Sequence, residues 1–71
     1  MTADQLTRAG QALYGNDGGW RARLRNEFGA RDHLFQRWLT GDAPIPDSVI
    51  AEVTANLEAR VAGIAELLDE L

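Results

Sequence analysis

An all-α fold of three short helices followed by one long amphipathic helix is what the sequence predicts, and three observations lead there. Apolar residues recur every three or four positions in four separate segments, the spacing that lines up one helix face. Glycine- or proline-bearing breaks, at residues 15–19, at Gly29 and at residues 41–46, fall between those segments. From Pro46 to Leu71 the only further glycine or proline is Gly63, so that segment can run as one helix. Seventy-one residues make one domain, 1–71, and so short a chain buries only about 60% of its unfolded surface. A second subunit often supplies what such a core lacks.

The first helix is expected from about Ala3 to Tyr14. Thr2 can cap the free amides of the first turn while Gln5 reaches back, a capping box. Leu6, Ala9 and Leu13 form its apolar face, with Ala12 and Tyr14 beside them, and Tyr14 closes the helix onto the core. GNDGG, residues 15–19, ends it, because glycine and Asn-Asp take turn conformations readily. Trp20, Leu24 and Phe28 then make the stripe of a second helix, with Arg21, Arg23 and Arg25 on its other sides. Gly29 sits where a left-handed stop favours glycine.

A third helix is expected from Arg31–Asp32 to Thr40-Gly41, carrying Leu34, Phe35 and Trp38 inward. Asp32 in its first turn complements the helix dipole. Both tryptophans lie on apolar stripes and read as core rather than as stacking platforms. The following prolines exclude helix within residues 42–45, since each restricts its predecessor to extended backbone; Pro46 can open the last helix. There Ile50, Val53, Leu57, Val61, Ile64, Leu68 and Leu71 step by 3, 4, 4, 3, 4, 3, close to a coiled-coil seam, and Val49 and Leu67 widen it. The seam is wider than a three-helix core needs, so residues 46–71 are expected to dimerise the chain.

Composition excludes several functions. With no cysteine and one histidine, His33, no metal site is credible, and no cofactor is expected. GNDGG lacks the Lys-Ser/Thr of a phosphate loop. Asp32 and His33 are adjacent, so they point about 100° apart on a helix, and no nucleophile stands beside them; the chain reads as no enzyme. Nothing suggests a small-molecule ligand. The longest apolar run is far below the ~20 residues of a membrane span, and the opening MTADQLTRAG lacks the features of a signal peptide. A cytoplasmic, soluble protein is the expectation.

The net charge of −4 conceals a division. Residues 20–40 hold five arginines against Glu27 and Asp32, a sum of +3, whereas residues 47–71 hold six acids and one base, Arg60, a sum of −5. Such asymmetry carries more information than the overall sign. All seven basic residues are arginine, which suits bidentate contacts to phosphate and guanine and is equally what a GC-rich coding bias produces.

Two short helices joined through a glycine form a helix-turn-helix arrangement. Leu24, Phe28, Gly29, Asp32, Phe35, Arg37, Trp38, Gly41 and the trio Pro44-Ile45-Pro46 fall on the pattern of one family of such proteins. Over residues 20–46 the chain resembles the Cro and phage-repressor type of helix-turn-helix, small bacterial or phage transcriptional regulators. It departs from that pattern at Arg25, where the family has a small alanine, at Ala30 for valine, at Arg31 for a serine or asparagine cap, and at Leu34 for threonine. The bulkier Phe35 is placed to compensate for Ala30.

The resemblance implies sequence-specific binding of double-stranded DNA, with residues 31–40 as the recognition helix in a major groove about 12 Å wide. Arg31, Asp32, His33, Gln36 and Arg37 would read base edges, Gln36 suiting adenine and the arginines guanine. Arg21, Arg23 and Arg25 would hold phosphates and set register. The acidic last helix would lie away from DNA and, paired with a second copy, set two reading helices about 34 Å apart. A homodimeric repressor is the reading that follows. A different reading is open: an acidic protein-interaction module, or a nucleic-acid mimic that inhibits an enzyme, on the same scaffold without DNA binding. The arginine cluster of residues 20–40 weighs against it.

Overall fold

The computed structural model describes all 71 residues, and they form four helices with no strand. These are α1 (Ala3–Tyr14), α2 (Trp20–Phe28), α3 (Asp32–Thr40) and α4 (Asp47–Glu70). The Thr2 hydroxyl accepts from the Gln5 amide at 3.1 Å and the Thr2 amide donates to Gln5 Oε1 at 2.9 Å, the expected capping box. α1 stops at Gly15, whose φ is +93°. α2 stops at Gly29 in the left-handed conformation (φ +60°), with the Ala30 amide closing back on the Arg25 carbonyl at 3.3 Å. Pro46 lies one residue ahead of α4, as its extended cap, and Asp47 is the first helical residue.

α1 is the hub, against which each of the other three helices packs. Leu6 of α1, Leu24 of α2 and Val53 of α4 have no exposed surface, and Phe35 and Trp38 bring α3 into the same cluster. The last two meet edge to face, with ring centroids 6.1 Å apart. Trp20 is buried as well, and its ring lies over Gly10, a glycine in mid-helix. A methyl group there would come within 2.8 Å of Trp20 Cζ3 and 3.2 Å of Leu24 Cδ2, so the missing side chain is what lets α1 and α2 approach.

Two expectations for the core need correcting. Leu34 does not point inward: it is 37% exposed. α3 spans nine residues and buries a narrow face centred between Phe35 and Trp38, and Leu34 lies beyond its edge. Phe28, the end of the α2 stripe, is only half-buried because the chain turns away at the next residue.

α4 has two parts. Val49 and Val53 are buried, Leu57 is half-buried against the core, and Ile50 is half-buried without being packed on it. From Glu58 to Leu71 every residue is exposed. The border is marked by Arg60, whose guanidinium donates to the Leu13 carbonyl in the last turn of α1. Beyond it the helix projects as a free stem. The protein accordingly measures 43 × 25 × 20 Å, and its radius of gyration is 13.1 Å, against about 11 Å for a compact chain of this length. No helix is long and apolar enough to cross a membrane.

Candidate nucleic-acid interface

α2 and α3 are nine-residue helices joined by Gly29, Ala30 and Arg31. Burial of Phe35 and Trp38 fixes the rotation of α3, and the consequence is an outer face made of Asp32, His33, Gln36 and Arg37, all exposed, with Arg31 exposed at the extended cap just ahead of it. Leu34 is exposed at the edge of the buried face, beside Trp38, and does not line the cleft between α2 and α3.

Between α2 and α3 runs an open cleft of about 560 Å³, bordered by Gly18, Arg21, Ala22 and Arg25 on one side and by Asp32, His33, Phe35 and Gln36 on the other. The structure thus brings five of the expected contact residues together: Arg21, Arg25, Asp32, His33 and Gln36. Arg23, Arg31 and Arg37 are exposed but stand outside the cleft. Arg37 reaches toward the other end of its helix, where Nη2 donates to the Asp42 carbonyl at 3.4 Å. Arg21 carries its guanidinium over the Trp20 ring, 5.4 Å from the centroid, which holds it at the rim.

Arg25 and Asp32 form an ion pair across the turn, the Nη1 group of one donating to Oδ1 of the other. Arg25 is the residue that replaces a small alanine in the resembled pattern. Its side chain is 33% exposed, the stem lying along the body while the head reaches out to Asp32, which is 82% exposed. Neither residue is therefore presented singly. The Arg25 guanidinium is engaged by the Asp32 carboxylate, and each charge is partly offset by the other. Seven positions separate the two, too far for one helix turn, so only the turn geometry brings them together.

The expected dimerisation seam is divided. Val53 belongs wholly to the chain's own core, Leu57 is half-covered by it, and Ile50 is half-buried. Val61, Ile64, Leu68 and Leu71, together with Leu67, are uncovered. Three or more histidine, cysteine or acidic side chains nowhere converge in a way that could hold a metal. Compared with protein-family models, with curated proteins and with solved structures, the chain matches none.

Proposed function

We propose that this chain is a sequence-specific double-stranded DNA-binding protein, a small transcriptional regulator that works as a homodimeric repressor, with α3 as its reading helix. The observation that carries this reading is the exposed polar face of α3 set beside an arginine-lined cleft. A helix with one side anchored by two aromatic residues and the other wholly free has the shape and rigidity that major-groove entry requires. Charge supports the same orientation: residues 20–40 sum to +3 and residues 47–71 to −5. With α3 toward the duplex, the acidic stem belongs on the side away from phosphate.

In this arrangement Gln36 addresses adenine, and Arg31 and Arg37 address guanine. Asp32, steadied by Arg25, is placed to accept from a cytosine amino group. Arg21 and Arg23 meet phosphates and fix register without reading sequence.

The test is retention of purified protein on a pool of random duplexes at low and at physiological salt, with the enriched sequences read out. A two-fold symmetric site is expected, with a slope of log affinity on log salt of roughly −3 to −5 for three to five phosphate contacts. Replacing Arg31, Gln36 and Arg37 together by alanine should abolish selection while leaving the helical content intact. No retention even at low salt would overturn the reading and favour an interaction surface for protein.

A further inference from the structure

The stem of α4 presents Val61, Ile64, Leu67, Leu68 and Leu71 to solvent within eleven residues, Leu71 being 93% exposed. Monomeric proteins rarely leave contiguous apolar surface of this kind uncovered. The seam here is regular: Leu57, Val61, Ile64, Leu68 and Leu71 step by 4, 3, 4, 3, the alternation that packs helix against helix. The one irregular pair of steps, from Val53 through Leu57 to Val61, falls where the helix leaves the body.

We propose that two copies of the chain pair through these stems antiparallel, about a two-fold axis at Ile64. This rests on the homodimer of the preceding reading and fixes its geometry, but it does not depend on DNA binding. Two observations select the antiparallel form.

The first is charge. Glu66, Asp69 and Glu70 crowd the tip, and Arg60 is the only base of α4. Parallel pairing in register would set each of those three carboxylates beside its own copy, six acids at one end with no base among them. Antiparallel pairing divides them between two ends. Each end then also holds one Arg60, the only base of the helix. Glu58 lies at the same end, so the arrangement relieves repulsion without removing it.

The second is shape. At the root of the stem lies a mostly apolar depression of about 380 Å³, lined by Thr54, Leu57, Glu58, Val61 and Ala62. With the axis at Ile64, Leu71 falls opposite the partner's Leu57, and Leu67 opposite its Val61. Leu71 at the tip of one chain is therefore set against Leu57, one of the residues that line the depression at the root of the other.

The pairing also sets the separation of the two bodies. Val53, the deepest α4 residue in the core, lies eleven residues from the axis, so the two copies stand 22 residues apart along the helices. At 1.5 Å per residue this is about 33 Å along the stems.

Pulsed electron–electron resonance on the intact chain decides it. The chain has no cysteine, so Ser48→Cys, at an exposed position far from the stem, gives one labelled site per copy. The two labels should lie about 48 Å apart along the axis in the antiparallel dimer. An interspin distance below about 25 Å would mean parallel stems, whose axes are only 8–10 Å apart, and would overturn the proposal while leaving a dimer in place. A monomeric mass by sedimentation equilibrium at the concentration used for labelling would overturn both this proposal and the homodimer. Leu68→Asp should convert the dimer to a helical monomer that shows no interspin distance; a dimer unchanged by it would place the interface elsewhere and defeat the proposal. The random-duplex selection, read independently, reports on the DNA reading alone.

Discussion

Val53 and Ile64 lie eleven residues apart on α4 and on the same apolar stripe, yet Val53 has no exposed surface and Ile64 is 52% exposed. Near the start of the helix the stripe meets α1 and the other core helices. Past Arg60 it meets nothing within the chain, because α1 ends at Tyr14, and its last turn is where Arg60 makes its bond. Helical periodicity therefore states that a face will be covered, and the length of the neighbouring helix decides whether the same chain covers it. A 12-residue helix spans about 18 Å and a 24-residue helix about 36 Å. Half of α4 is left over by geometry.

The comparison breaks most visibly under charge. Val53→Asp places a carboxylate among Leu6, Leu24 and Trp38 with no partner, which costs on the order of 3–5 kcal/mol. A 71-residue domain has roughly 4–10 kcal/mol in all. Cooperative thermal unfolding, followed by circular dichroism, should be lost or moved far down at every protein concentration. Leu68→Asp, on the same helix, should leave the dilute protein's unfolding within about 0.5 kcal/mol of the parent. It should instead abolish the rise of the melting temperature with concentration that a dimer requires. Equal damage from both substitutions would mean that the stem is packed against the body in solution.

Two helical glycines sharpen the same contrast at smaller magnitude. Gly10 is roofed by Trp20, whereas a methyl on Gly63 would meet nothing within 4 Å. Gly10→Ala should lower stability by about 1–3 kcal/mol through overpacking, even though alanine is the better helix former. Gly63→Ala should raise the stability of α4 by up to about 1 kcal/mol for the propensity gain. Urea titration of both variants gives the two signs directly.

Much of the architecture was legible because local signals agreed with one another. Thr2 with Gln5, the glycines at 15, 29 and 41, and the proline-bearing segment place the helix ends, since caps and left-handed stops are local chemistry. What depends on a neighbour was not legible in the same way. Leu34 reads as core from its type, and only the narrow contact between α3 and the body shows that it faces out. Gly10 gives no sign in sequence that an indole will rest on it. The seam of α4 reads as one surface, and its division at Arg60 needs the end of α1 to be known. On the polar side, Arg21, Arg23 and Arg25 read alike as phosphate contacts, Arg25 differing only in standing where the resembled pattern has a small alanine. Side-chain reach across the turn separates Arg25 from the others.

That separation gives the smallest effect and the finest test. Arg23 has no ion-pair partner, so Arg23→Ala should leave stability within about 0.5 kcal/mol. Arg25→Ala removes the bridge to Asp32 together with part of a half-buried stem. The bridge is largely exposed, so its share is at most about 1 kcal/mol. Urea unfolding at low and at 1 M salt divides that loss, because screening weakens the ionic part and leaves the packing part. The two variants should then exchange rank on DNA. Arg23→Ala should weaken every sequence alike and reduce the dimer's salt slope by about 2, one contact being lost from each copy. Arg25→Ala should act mainly at the base pair that Asp32 addresses, since the freed carboxylate loses its fixed direction. If both variants change affinity uniformly and neither changes selection, Arg25 is one more phosphate contact and the bridge across the turn serves the fold alone.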